Sequence, residues 1–253
     1  SFDAFPPPRC HGQLSAVKMK AGLLLICVLF AVCEGSRLRT TIRGHAVKER
    51  QKQRETSSRK DAIAVEFFVM AKCPDAKFCE ETFLPVLEDL AQLVTVNFTY
   101  IADSSKTQEN GQQPVQCMHG PAECVGDQQR LCAQTALTSR SGAGLRFALC
   151  QDAGTIPENG KACAASAGFE AKELEAWEAC VRGGVGEELL RASAERALAL
   201  SISTSCTVHV ESQAFCVHDG HWKDCGKCTD KAACLKAKVC ELSRHPRKSE
   251  FCQ

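Results

Sequence analysis

Residues 62–70 (AIAVEFFVM) form a nearly unbroken apolar run, the pattern of a strand buried on both faces of a sheet. Cys73-Pro74-Asp75 follows at once. Proline suits the first turn of a helix, where its missing N–H removes no hydrogen bond. Leu84, Leu87, Leu90 and Leu93 then recur near the helical period, while Glu80, Glu81, Glu88 and Asp89 fall on the surface and Pro85 predicts a kink. In the next stretch Val94, Val96, Phe98 and Tyr100 alternate with Thr95, Asn97 and Thr99, a strand with one polar face. Together these make a β-α-β unit.

Further along, residues 116–138 read as a cysteine-rich helical insertion and residues 145–149 as the next strand. Residues 170–180 and 187–200 read as helices separated by a break at Gly183-Gly184. Residues 207–210 and 214–217 flank a three-residue link and predict a hairpin that completes the sheet. From Lys223 on, the chain is a polar tail packed with cysteines.

The first sixty residues follow neither rule. Met19-Lys20, a twelve-residue apolar run and a small-residue end at Gly35-Ser36 fit a secretory signal peptide over residues 19–36. The run is shorter than the roughly 20 residues a membrane-spanning helix needs. Residues 1–18 read as an unstructured segment upstream of Met19, and residues 37–60 as a basic linker or pro-segment. The rest divides into a domain over residues 61–222 and the tail, residues 223–253.

Charge changes little in this picture: 31 basic and 30 acidic residues offer no basic excess for nucleic acid. The eighteen cysteines change it more. Behind an export signal they predict a disulfide framework in the secretory route. Signal removal takes Cys10, Cys27 and Cys33 and leaves an odd number, so at least one thiol stays free or pairs with another molecule. Asn97-Phe98-Thr99 is a glycosylation sequon, with Asn97 on the polar face of its strand.

Cys73 is the candidate nucleophile. A helix N-terminus carries roughly +0.5 of an elementary charge, which favours thiolate over thiol. Cys117-Met118-His119-Gly120-Pro121-Ala122-Glu123-Cys124, followed by Asp127 and Cys132, resembles the signature of the gamma-interferon-inducible lysosomal thiol reductase family, C-Q-H-G-x2-E-C-x2-N-x4-C. Met118 stands for Gln and Asp127 for Asn. The resemblance implies an α/β, thioredoxin-like fold with a disulfide-stapled helical insertion, and a glycoprotein of the lysosome, vacuole or secretory route, or an extracellular one, that reduces protein disulfides; the expected reductant is an external low-molecular-weight thiol, and no cofactor is expected. The alternative is a secreted disulfide-rich binding protein of the same family without catalysis.

The family's active stretch is C-x-x-C, whereas this chain has Cys73-Pro74-Asp75-Ala76, so the resolving cysteine is absent. The candidates to replace it are Cys79 and Cys206. On a regular helix six residues rise about 9 Å, so pairing of Cys73 with Cys79 would require unwinding. Cys206 sits where thioredoxin-like folds place a loop facing the active cysteine, and also suits a structural disulfide to the C-terminal region. A monothiol route is the first expectation. Cys117, Cys124 and Cys132 suit framework disulfides; His119 suits a proton carrier or a structural histidine, and Glu123 and Asp127 caps or hydrogen-bond partners. In the tail, Cys216, His218, His221, Cys225 and Cys228 suggest zinc in a reducing compartment but disulfides with Cys234, Cys240 and Cys252 in an oxidising one.

Overall fold

A computed structural model describes residues 61–105, 115–137 and 142–253. The expected signal peptide, the upstream segment, the basic linker and Cys10, Cys27 and Cys33 lie outside the described residues. Strand β1 (Ile63–Val69) is the apolar run, and its Val65, Phe67, Phe68 and Val69 are fully buried. Helix α1 (Pro74–Asp89) starts at the Cys-Pro turn and continues through Pro85. β2 (Val94–Tyr100) returns parallel to β1. The hairpin of β3 (Thr207–Val210) and β4 (Gln213–His218) adds antiparallel to the other side of β1, followed by the short β5 (Trp222–Lys223). Sheet order is β2-β1-β3-β4-β5. The hairpin link is two residues, Glu211 and Ser212, both at positive φ, a left-handed pair that matches strand twist.

Between β2 and β3 the described residues form five helices: α2 (Pro121–Ala136), α3 (Ala143–Asp152), α4 (Gly160–Ser166), α5 (Ala171–Arg182) and α6 (Gly184–Ala199). They enclose a second apolar cluster around Trp177, Phe147 and Ala164. Disulfides Cys132–Cys180 and Cys150–Cys163 staple it. Gly183 caps both α5 and α6; a Cβ there would sit 2.9 Å from the Ala179 carbonyl oxygen, so the break is steric as well as conformational.

Three expectations are corrected. Residues 145–149 are not a strand but the middle of α3, whose buried Leu145, Phe147, Ala148 and Gln151 follow the helical period. The polar face of β2 is not wet throughout: Thr99 is buried, donating to Glu66 Oε1 at 2.6 Å, and Ser193 of α6 accepts the Tyr100 N–H at 2.6 Å. α6 covers that end of the strand. The tail is also more than a polar cysteine framework. α7 (Lys231–Leu242), capped by Asp230, buries Leu235 and Val239 in the main core, and α8 (Lys248–Phe251) follows.

The main core lies between the sheet and α1. Val65, Phe67 and Val69 meet Phe83, Leu84 and Leu87 there. Phe68 points to the opposite face, towards Ala197 and Ile202. This alternation makes β1 a floor buried from both sides, and the chain leaves it directly into the turn that carries Cys73.

Candidate active site around Cys73

Cys73 is the N-cap of α1, in extended conformation (φ −78°, ψ 126°), with Pro74 in the first turn. Its carbonyl accepts from the Lys77 N–H at 3.1 Å, the first bond of the helix. Its thiol is half-buried, lies 3.9 Å from the Ser205 carbonyl oxygen and is the free cysteine among the described residues. It touches the apolar clusters on both faces of the sheet. Ala76 is buried in the first turn of α1, where the family's second cysteine would stand.

Cys79 and Cys206 are bonded to each other, with Cα atoms 6.3 Å apart and both side chains fully buried. The expected C-terminal partner for Cys206 is thus corrected: β3 pairs with β1, and the residue before it lands under α1 rather than beside the tail. The Ser205–Cys206 peptide is cis. The two candidate resolving thiols occupy one bond, and Cys73 stands outside it.

Four residues, Met70 to Cys73, link β1 to α1, and each of their backbone N–H groups has a partner. Met70 donates to Ser205 Oγ at 3.1 Å, Ala71 to Asp127 Oδ1 at 2.9 Å, Lys72 to Glu123 Oε1 at 3.2 Å and Cys73 to the Met70 carbonyl at 3.0 Å. A link with no regular structure must satisfy its amides individually. Three of the four are satisfied by side chains from distant segments. Glu123 also accepts from the His119 N–H at 3.0 Å, and its Oε1 is 2.6 Å from His119 Nδ1. His119 therefore meets a carboxylate, not a thiol. Gly120 caps α2 at φ +87°. Cys117–Cys124 closes the signature, and Cys132 leaves it to pair with Cys180.

Both signature carboxyls are fully buried. Burial pushes the Asp127 carboxyl well above its ordinary range; the Ala71 N–H pulls it down, Glu123 pushes it up and Arg130 pulls it down. Beneath them, Arg130 of α2 donates to Glu80 of α1 at 3.1 and 3.2 Å, to Gln151 at 3.0 Å and to Asp152. Glu80, expected on the surface of its helix, is instead fully buried because Arg130 of α2 pairs with it; burial raises its carboxyl and Arg130 opposes the rise. This buried ion cluster joins α1, α2 and α3.

At the other flank, Asp75 accepts from the Gly220 N–H at 2.8 Å, and its Oδ1 lies 2.7 Å from His218 Nδ1, an ion pair when the imidazole is protonated. Phe78, half exposed, stacks near His218 and Trp222. Sequence reasoning missed Ser205, Asp75 and this use of His218. Ser205, directly before Cys206, carried no motif of its own. The tail cysteines form Cys216–Cys225, Cys228–Cys234 and Cys240–Cys252, so Cys225 and Cys228 do not bond each other. Among the described residues no cluster of three His, Cys, Asp or Glu is arranged for a metal, and no helix is long and apolar enough to cross a membrane. Asn97 is half-buried on the edge strand β2, opposite Glu66.

The family model described as gamma interferon inducible lysosomal thiol reductase (GILT) matches residues 64–167. No curated protein matches the chain. Among solved structures, the MdbA protein of Actinomyces oris, a thiol-disulfide oxidoreductase, is 12% identical with a TM-score of 0.50, covering 74% of this chain and 85% of that one. An oxidised DsbA from Mtb is 17% identical (TM-score 0.49; 75% and 88% covered), as is the reduced disulfide bond oxidoreductase DsbG of Mycobacterium tuberculosis (TM-score 0.47; 75% and 83% covered). The MdbA likeness agrees with the architecture above: a thioredoxin-like sheet with a helical insertion.

Proposed function

We propose that this chain, whose residues 64–167 match the gamma-interferon-inducible lysosomal thiol reductase family model, is a thiol-disulfide oxidoreductase that reduces protein disulfides through Cys73 acting as a monothiol. The observation that carries the reading is the free thiol at the N-cap of α1 beside a Cys79–Cys206 bond that occupies both candidate resolving cysteines. Substrates are disulfide-bonded proteins, the compartment is the lysosome, a vacuole or the secretory route, and Asn97 is a glycosylation site.

The thiolate of Cys73 attacks one sulfur of a substrate disulfide. A Cys73–substrate disulfide forms, and the other substrate sulfur leaves as a thiolate and takes up a proton. A low-molecular-weight thiol then attacks the Cys73 sulfur and expels the second substrate thiol. A second molecule of the same thiol frees Cys73 and leaves as its own disulfide. The two electrons delivered to the substrate come from two external thiols.

The missing partner at Ala76 favours one rival, a binding protein of the same family that has lost catalysis. Disulfide mapping after alkylation without reduction separates the two, together with turnover of a fluorescence-quenched disulfide peptide in the presence of free cysteine. The reductase reading expects Cys73 to label while Cys79–Cys206 stays intact, and expects turnover that Cys73→Ser abolishes. Turnover equal in wild type and Cys73→Ser would leave the binding protein.

A further inference from the structure

We propose that Glu123 and Asp127 are positioning residues for the reaction at Cys73: their buried carboxyls hold the two amides just before it and thereby set where its sulfur points. The inference rests on Cys73 being the nucleophile. Glu123 and Asp127 are four residues apart on α2, so both project from one face of the helix, and that face meets the link. Each takes a different, consecutive N–H of the link, Lys72 and Ala71. With Ser205 holding Met70, three remote side chains fix a four-residue segment that has no ladder of its own.

The packing between them points the same way. A Cβ on Gly126 would stand 2.3 Å from Ile156 Cγ2, so the glycine makes room for that side chain, and at 3.4 Å from Ala71 Cβ it would be in ordinary contact with the link, which shows how near this turn of α2 lies to it. The Cys117–Cys124 bond ties the segment before α2 to its first turn, with Cys117 Sγ 3.7 Å from Asp127 Oδ2. The signature thus forms a bracket: its disulfide and Gly120 shape the start of α2, Gly126 makes room for Ile156 beside the link, and two carboxyls grip the link. His119 completes it by binding Glu123 from the outer side.

The asparagine of the family pattern fits the place of Asp127. An amide offers one acceptor and one donor there, and a protonated carboxyl does the same. The charged and titratable groups that face Asp127 are Glu123 and Arg130 from α2 and the buried Tyr100 from β2. The link presents only the Ala71 N–H, and the segment before α2 presents a disulfide sulfur. As pH rises, Asp127 ionises against its burial and beside the Glu123 carboxyl, a cost that its bond from the Ala71 N–H and the nearby Arg130 only partly offset, so the native bracket is progressively destabilised. Asparagine removes that dependence.

The test is single-turnover attack on 4,4′-dithiodipyridine by the full chain, followed by pyridinethione release between pH 4.5 and 8, with Cys73→Ser as the blank. Glu123→Ala and Asp127→Ala should slow attack at pH 5 by about tenfold or more, the scale expected when a reacting atom is misplaced. Asp127→Asn should restore the pH 5 rate, and its rate relative to wild type should climb as pH rises. Folded alanine variants reacting at the wild-type rate, or asparagine doing no better than alanine, would overturn the proposal. Should the alanine variants fail to fold, the Asn-to-wild-type ratio decides alone, and a ratio constant with pH overturns it. A wild type no faster than Cys73→Ser would sink the nucleophile itself, and this inference with it.

Discussion

A thiol at an N-cap without a resolving partner should behave differently from a dithiol, and Ala76 is the place to test that. Residues three apart at a helix start have Cα atoms about 5 Å apart, within the range a disulfide spans. Ala76→Cys should therefore create an internal resolving thiol. After turnover, mapping should find a bond between Cys73 and the new cysteine, and the mixed disulfide with the external thiol should vanish. Accumulation of that mixed disulfide at the wild-type level would show that the first turn of α1 cannot close the bond. Cys73 was legible from sequence because its cues are local, an apolar run followed by Cys-Pro. The grip of Ser205 on Met70 was not, because it spans 135 residues and exists only once β3 pairs with β1.

Among the elements, the buried face of α1 is tied to its surroundings by a disulfide and by the ion pair of Glu80 with Arg130. The Cys79–Cys206 bond joins it to the turn before β3 across 127 residues. Replacing both cysteines with alanine should cost about 2–5 kcal/mol in urea unfolding, the usual loss for a native disulfide. A change below about 0.5 kcal/mol, typical of neutral surface substitutions, would mean that the bond constrains little. Arg130 is the ionic connection. Arg130→Met should destabilise by about 3–5 kcal/mol, because it leaves Glu80 and Asp152 buried without their cation. An Arg130→Met protein that unfolds like wild type in the same assay would show that protonation removes the buried carboxylate charge once the cation is gone. The elements themselves were mostly readable: β1, α1, β2, α5, α6 and the β3–β4 hairpin follow the period of their apolar residues. Residues 145–149 were not, since five residues of mixed apolar character fit a strand or one turn of a helix. α7 was hidden because its cysteines masked the i, i+4 pair Leu235 and Val239.

At the scale of the whole molecule, stability should be bounded on both sides of pH by two carboxyls of opposite behaviour, half-buried Glu66 and buried Asp127. Burial works against the Glu66 charge, but hydrogen bonds from Arg196 and Thr99 outweigh it and hold this carboxyl below its ordinary range. A lowered carboxyl contributes stability above its unfolded pKa and loses it as pH falls through the folded one. Asp127 has the opposite sign. Its folded pKa is raised, so below the ordinary Asp value near 3.9 both states are protonated and it contributes no difference. From there up to the folded value the unfolded chain ionises while the native one cannot, and stability drops as pH rises. Above the folded value the loss stays at its maximum. Thermal melts of wild type and Asp127→Asn between pH 4 and 8 should therefore nearly coincide at the acid end and separate steadily upward, with the asparagine protein melting higher. Parallel curves, or a gap that narrows as pH rises, would mean that the Asp127 pKa is not raised in the native state.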